Sequence, residues 1–276
     1  MKIKHLLLFV FLIAASGAWA QNDVAASAGS CRPVYKSKVP IWLSLSPGLN
    51  VVHCYDNGTI PFPYLGYGVN IDAAFTIEWA RCHIQSDARF ALDMLTNGGT
   101  SYGIESKTEF LYRFHDGKRN RLHLWVGPAL QNYFDIKEIA AMMNASTGVS
   151  GFMNLCAEGM LSYDFAFIRD HSHNLLTAYG KLTLPVVGLV VRPGYAYMDN
   201  YTNDINVANT LLEDYETFGK WFAGASTDVG LNLNLLNGNR IGLSYRWDYL
   251  TTGHKGTYRF DNALHSININ FMFNLN

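Results

Sequence analysis

The chain of 276 residues sets 21 Lys and Arg against 22 Asp and Glu, with only 16% charged and 14% aromatic residues. That balance excludes the basic footprint of a nucleic-acid-binding protein. Beyond the N-terminal region no stretch approaches about eighteen consecutive apolar residues, which excludes transmembrane helices.

Lys2 and Lys4 open the chain, residues 6–16 form an apolar run, and Ala18-Trp19-Ala20 precedes Gln21. This reads as a secretory signal peptide over residues 1–20 with an A-x-A cleavage site. The alternative is a membrane-anchoring helix, but about eleven apolar residues fall short of the roughly twenty that cross a bilayer. Cys31 lies too far past the apolar run to read as a lipoprotein anchor. Residues 21–38 then form a short periplasmic segment, and residues 39–276 one folded unit.

Strict alternation begins at residue 41. Ile41, Leu43, Leu45, Leu49 and Val51 share one face of residues 41–53, with Ser44, Ser46, Gly48 and Asn50 behind. Residues 65–80 are the strongest case, with Leu65, Tyr67, Val69, Ile71, Phe75, Ile77 and Trp79 facing one way. Gly66, Gly68, Asn70, Asp72, Thr76 and Glu78 face the other. Side chains alternate across a strand, so this run predicts one far longer than the usual five or six residues. Residues 87–96 alternate least clearly, and a helical turn fits there as well. Residues 101–114, 121–134, 150–168, 175–187, 219–236, 240–252 and 263–275 repeat the pattern.

The count is ten strands, although residues 87–96 and the longest loop leave eight and twelve open. Short turns are expected at 81–86, 115–120, 169–172 and 236–239, with Asn, Gly and Asp chemistry. Longer loops are expected at 54–64, 135–149, 188–218 and 253–262, and a tight turn at 97–100. A membrane chain without helices must close its strands into a barrel. The expected fold is therefore all-β: an antiparallel transmembrane β-barrel with short periplasmic turns and longer extracellular loops. A soluble barrel would share the alternation, but its outer face would carry far more Lys and Glu. The proposed apolar faces here carry no charge. Aromatics gather toward their ends, at Trp42, Tyr67, Trp79, Tyr102, Phe114, Phe134, Trp221 and Tyr249, as interfacial girdles do.

The segments LTLPVVGLVVRPGYAYMDNY (182–201) and RIGLSYRWDYLTTGHKGTYRFDNALHSININFMFNL (240–275) resemble a family of outer-membrane barrels of Bacteroidota whose function is not known. The resemblance covers residues 100–276. It implies a barrel in the outer membrane of a Gram-negative cell and carries over no catalytic or binding residue. The chain closes Phe271-Met272-Phe273-Asn274-Leu275-Asn276 rather than on an aromatic residue.

On the inward faces the sequence places the acids Asp72, Glu78, Glu105, Glu109, Glu158, Asp164, Asp228 and Asp248. Facing them are Lys107, Arg113, Arg121, His123, Lys181, Lys220 and Arg246. Such balanced charge inside a narrow barrel forms either an interlocked structural ladder or the constriction of a small pore. The enzymatic alternative is an outer-membrane lipid hydrolase or acyltransferase using His265 or His53, both on lipid-facing parity. Ser266 follows His265 but points to the opposite face, and no H-x-S spacing occurs on any strand. The loop 188–218 carries Asp199, Asp204, Glu213, Asp214 and Glu216, a candidate surface for a partner or a cation. The four cysteines have no metal-ligand spacing, and no cofactor is expected. Cys31 and Cys82 share the periplasmic side as a candidate pair, while Cys54 and Cys156 read as small buried residues. The expected surroundings are outer-membrane lipids, with an extracellular or periplasmic protein as the candidate partner.

Overall fold

The computed structural model describes residues 39–56, 60–79, 81–116, 121–139, 147–165, 169–170, 173–174, 176–191, 215–218, 224–235, 237–252 and 259–275. They form thirteen strands. Ten are the staves of a barrel: β1 (Ile41–Asp56), β2 (Ile60–Trp79), β3 (Cys82–Leu95), β4 (Thr100–Asp116), β5 (Leu122–Glu138), β6 (Thr147–Asp164), β9 (Leu176–Val191), β11 (Gly224–Asn234), β12 (Arg240–Thr251) and β13 (Phe260–Asn274). The other three are short. β7 (Arg169–Asp170) pairs with β8 (His173–Asn174), and β10 (Tyr215–Phe218) pairs with β9.

Each stave runs antiparallel to its neighbours, and the ladder of pairings is unbroken around the ring. β13 pairs with β1 over Trp42↔Asn274 to Asp56↔Phe260, and β6 pairs with β9 over Gly151↔Val191 to Asp164↔Thr177. No sheet edge remains among the ten. β10 continues the line of β11 along β9, since Phe218 faces Gly188 and Ser226 faces Thr183.

The alternation in the sequence becomes an inside and an outside. Leu43, Leu49, Tyr67, Val69, Ile71, Phe110, Leu155, Leu243 and Ile267 point outward, with Leu49 68% and Ile267 57% exposed. Behind them Asn50, Arg89, Glu105, Lys107, Gln131 and Ser266 are buried in the lumen. Among the described outward strand positions the only carboxylates are Glu138 and Asp261, both at strand ends, and Asp261 pairs with Arg259 at 2.8 Å; His53 and His265 also face outward. Polar outward side chains bond to one another: Ser86 Oγ with Thr108 Oγ1 at 3.0 Å, Asn132 Nδ2 to Ser106 Oγ at 3.2 Å. Mutual pairing of this kind is what an apolar surrounding requires.

Several expectations change. Residues 82–95 form one continuous strand with no helical turn, because Ile84, Phe90, Leu92 and Met94 hold the outward parity through the small Ser86 and Ala88. The turn before it narrows to residues 80–81. β1 and β2 extend toward each other, leaving only residues 57–59 where a loop over 54–64 was expected. Where a bare turn was expected over 169–172, Arg169–Asp170 pairs with His173–Asn174 as β7 and β8. Trp42 belongs inside: it sits between outward Ile41 and Leu43, is 4% exposed, and lies under the Arg240 guanidinium at 4.1 Å. Its Nε1 donates to the Gly238 carbonyl at 3.3 Å. Trp221 lies outside the described residues.

Two ends follow from the topology. The near end holds the start of β1, the finish of β13 and the turns at 80–81 and 235–239. The far end holds the connections 57–59, 96–99, 139–146, 192–214 and 252–259. Gly98 and Gly238 turn the chain with φ of 80° and 83°. A Cβ on Gly98 would meet nothing within 4 Å, so there the backbone alone demands glycine. Gly98→Ala is expected to lower stability by about 1–2 kcal/mol through the left-handed conformation alone. Urea unfolding of the refolded protein in detergent measures it, and an unchanged midpoint would contradict the turn geometry.

Candidate functional site

The candidate site is the lumen, which changes character along its length. In the middle, Arg89 of β3 ties three strands together. Its Nε donates to Asp72 at 2.9 Å, its Nη1 to Asp248 at 3.1 Å and its Nη2 to Ser266 Oγ at 2.6 Å. Arg246 completes the layer, donating to Glu105 and, at 3.0 Å, to Asp248. Gln131 donates to Glu105 at 2.9 Å, and Ser226 to Asp248. Arg89 and Glu105 are each 3% exposed, so the layer is desolvated and holds because its charges are paired.

Toward the near end lies a second network. Lys107 Nζ is 3.2 Å from Glu109 and 3.4 Å from Glu158, and Lys181 donates to Glu109 at 2.5 Å and to Gln85 at 3.2 Å. His83 Nε2 lies 3.1 Å from Glu109, and its Nδ1 3.4 Å from Glu78. His123 Nε2 sits 3.7 Å from Asp164. A cavity of about 360 Å³ opens below, with Ser44, Thr76, Trp125, Tyr179, Arg240 and Asn270 in its walls.

Toward the far end the lumen becomes apolar. Val52, Cys54, Tyr64, Leu95, Ile139, Phe152, Val190, Leu250, Phe260 and Leu264 form one buried cluster, with Phe152 and Phe260 centroids 5.3 Å apart. Within it Lys137 pairs with Asp135 and lies 4.7 Å over the Phe260 ring, and Ser101 donates to Asp135 at 2.6 Å. Between plug and ionic layer lies a space of about 10 Å³, room for roughly one water.

Most charges expected inside are therefore found there: Glu78, Glu105, Lys107, Glu109, Glu158, Asp164, Lys181, Arg246 and Asp248 in the networks, with Arg113 over the Trp125 ring at 5.0 Å. Asp228 lies in register with both Lys181 and Arg246. Arg121 stands just before β5, at the near rim. Lys220, Asp199, Asp204, Glu213 and Asp214 fall outside the described residues, and Glu216 lies in β10. Cys54 and Cys156 are buried and, like Cys82, free; Cys31 falls outside the described residues.

Asp87, Arg89, Asp93, Asp135 and Lys137 were not foreseen. The first three sit on the strand whose outward face is interrupted by Ser86 and Ala88. The last two lie where β5 runs past Phe134 into an expected loop. Their signal was the strand parity itself, continued two or four residues further.

His265 keeps its lipid-facing parity, with its Nδ1 2.7 Å from the Tyr245 hydroxyl. His53 faces outward on the neighbouring β1, where Val51 pairs with His265 and His53 with Ala263. The contact to His265 is phenolic, so it supplies neither a nucleophilic serine nor an orienting carboxylate.

No family model and no curated protein matches the chain. Among solved structures it is similar to the translocator domain of autotransporter NalP from Neisseria meningitidis, at TM-score 0.42 and 9% identity over 98% of this chain and 96% of that one. It is also similar to the transport unit of the autotransporter AIDA-I from Escherichia coli, at TM-score 0.40 and 8% identity over 88% and 93%. Neisserial surface protein A follows at TM-score 0.35 and 9% identity over 84% and 97%. The class of the chain rests on its own strands and faces: a ten-stranded antiparallel transmembrane β-barrel.

Glu105 links Gln131, Arg89 and Arg246. Glu105→Gln is expected to cost about 3 kcal/mol by leaving two buried guanidinium groups short of charge. Adding Arg246→Met should cost less than the sum of the two single changes, because the pair acts as one unit. Urea unfolding of the three variants measures this, and strict additivity would contradict the network.

Proposed function

We propose that the chain resides in the outer membrane of a Gram-negative bacterium as a lumen-closed barrel with a structural or interaction role. The observation that carries this reading is the inversion of its surfaces. Leucine, isoleucine, valine and aromatic side chains cover the outside while ion pairs fill the inside, the reverse of a barrel made for water. The secretory reading of residues 1–20 supports the compartment. The resemblance of residues 182–201 and 240–275 to Bacteroidota barrels supports the source. Both barrel termini then face the periplasm with the near end, and the far end faces outward.

Two obstacles in series argue against free conduction. The ionic layer around Arg89 ties opposing walls together, and the far-end cluster from Val52 to Leu264, with the Lys137–Asp135 pair buried in it, fills the lumen beyond. The working surfaces are then the far-end connections and the near-end cavity. The lipid-hydrolase alternative is weakened by the Tyr245 contact of His265, which supplies no general-base partner.

Two measurements test the reading. The refolded protein in a planar bilayer is expected to show no current steps, and removing residues 195–215 should leave it silent, because the plug belongs to the staves. Discrete steps from the unmodified protein would establish a pore instead. In phospholipid vesicles, Ile267→Arg is expected to cost about 2–4 kcal/mol, the penalty for a cation on a lipid-facing strand near the midplane. A neutral effect would mean that this face meets water.

A further inference from the structure

The near-end cavity is more than space left over from packing. The lumen residues around it are partly accessible, among them Glu78, Arg113, His123, Thr177 and Arg240, while those of the far-end plug are buried. It is therefore a blind vestibule, entered from the near end and floored by the ionic layer. At about 360 Å³ it falls within the range of small-molecule sites.

Its charges are not all answered within the protein. Asp87 accepts a hydrogen bond from Gln85 Nε2 at 3.3 Å, and Asp228 one from the Tyr179 hydroxyl at 3.3 Å. Neither has a cation within salt-bridge distance among the described residues. Lys107 lies in register with Asp87, and Lys181 and Arg246 with Asp228, but the ion pairs these cations make are to Glu109, Glu158, Glu105 and Asp248. At the mouth the Arg240 guanidinium rests on the Trp42 ring with no carboxylate within salt-bridge distance among the described residues, and meets Glu78 only at longer range. In the wall, Trp125 is 6% exposed and presents an apolar ring surface.

Two carboxylates and one guanidinium without an ion pair of their own in a single cavity call for a ligand bearing both charges. We propose that the vestibule binds a small zwitterion of amino-acid to dipeptide size. Asp87 and Asp228 offer its ammonium group a counter-charge and Arg240 does the same for its carboxylate. The site depends on the closed lumen and not on the compartment, so it is testable in detergent and its outcome is separate from that of the vesicle experiment.

The test is calorimetric titration of the refolded full chain with alanine, alanylalanine and triglycine, each compared with its N-acetyl and C-amide forms. Saturable binding of at least one zwitterion is expected, weakened about tenfold or more by capping either end, as loss of roughly one charged contact implies. The Asp87→Asn/Asp228→Asn double variant should lose a similar factor and no longer distinguish free from N-acetylated ligand. No saturable binding by any of the three, or equal binding of capped and uncapped forms, overturns the proposal. Should the double variant fail to fold, judged by heat-modifiable gel migration, the capping series on the unmodified protein decides alone.

Discussion

In hydrocarbon there is no water to bond a backbone amide, so every N–H and C=O of a spanning segment must be paired within the protein. The rest of this structure follows from that requirement. Ten staves satisfy it only because β13 meets β1 and β6 meets β9. Once the ladder is closed, strand parity has one meaning everywhere. Each alternate residue meets the surroundings and each other residue meets the lumen. A slip of one residue in any stave would exchange Leu49 for Asn50, or Ile104 for Glu105.

The narrow lumen then faces the problem of its own contents. Ten staves enclose little more space than side chains can fill, and the chain fills it in two ways. The middle uses charge, with Arg89 and Arg246 bridging Asp72, Glu105 and Asp248 across strands remote in sequence. The far end uses apolar burial, an ordinary hydrophobic core seated inside a barrel, with Phe152 and Phe260 at its centre. Among the described residues the near end keeps room, and there Asp87, Asp228 and Arg240 make no ion pair.

The fold was legible in the sequence to a large degree, because side-chain parity in a closed sheet is a two-letter code. The stave from 65 to 79 could be read residue by residue. Where reading fell short, the cause was local. Ser86 and Ala88 blurred the outward face of β3, and with it Asp87, Arg89 and Asp93 were lost from the lumen. Trp42 looked like a girdle residue by type, yet its parity beside Ile41 and Leu43 sends it inward to Arg240 and Gly238. The charges could be placed inside one by one, but not joined. That Arg89 reaches Asp248, or Lys107 reaches Glu158, depends on the stagger of strands around the barrel, which no single strand encodes. The apolar plug was hidden for a related reason, since inward Val52, Leu250 and Leu264 interrupt an otherwise polar face and become a cluster only on closure.

The central claim is that the apolar face meets lipid while the lumen stays sealed from it. Two tryptophans report on the two sides: Trp247 on the outward parity of β12, stacked on Tyr249, and Trp125, buried in the lumen. The most direct test is fluorescence of single-tryptophan variants retaining one or the other, reconstituted in vesicles of lipid brominated along the acyl chains. Strong quenching of Trp247 with little change at Trp125 is the expected result. Equal quenching of both, or an unquenched Trp247, would contradict the assignment of inside and outside.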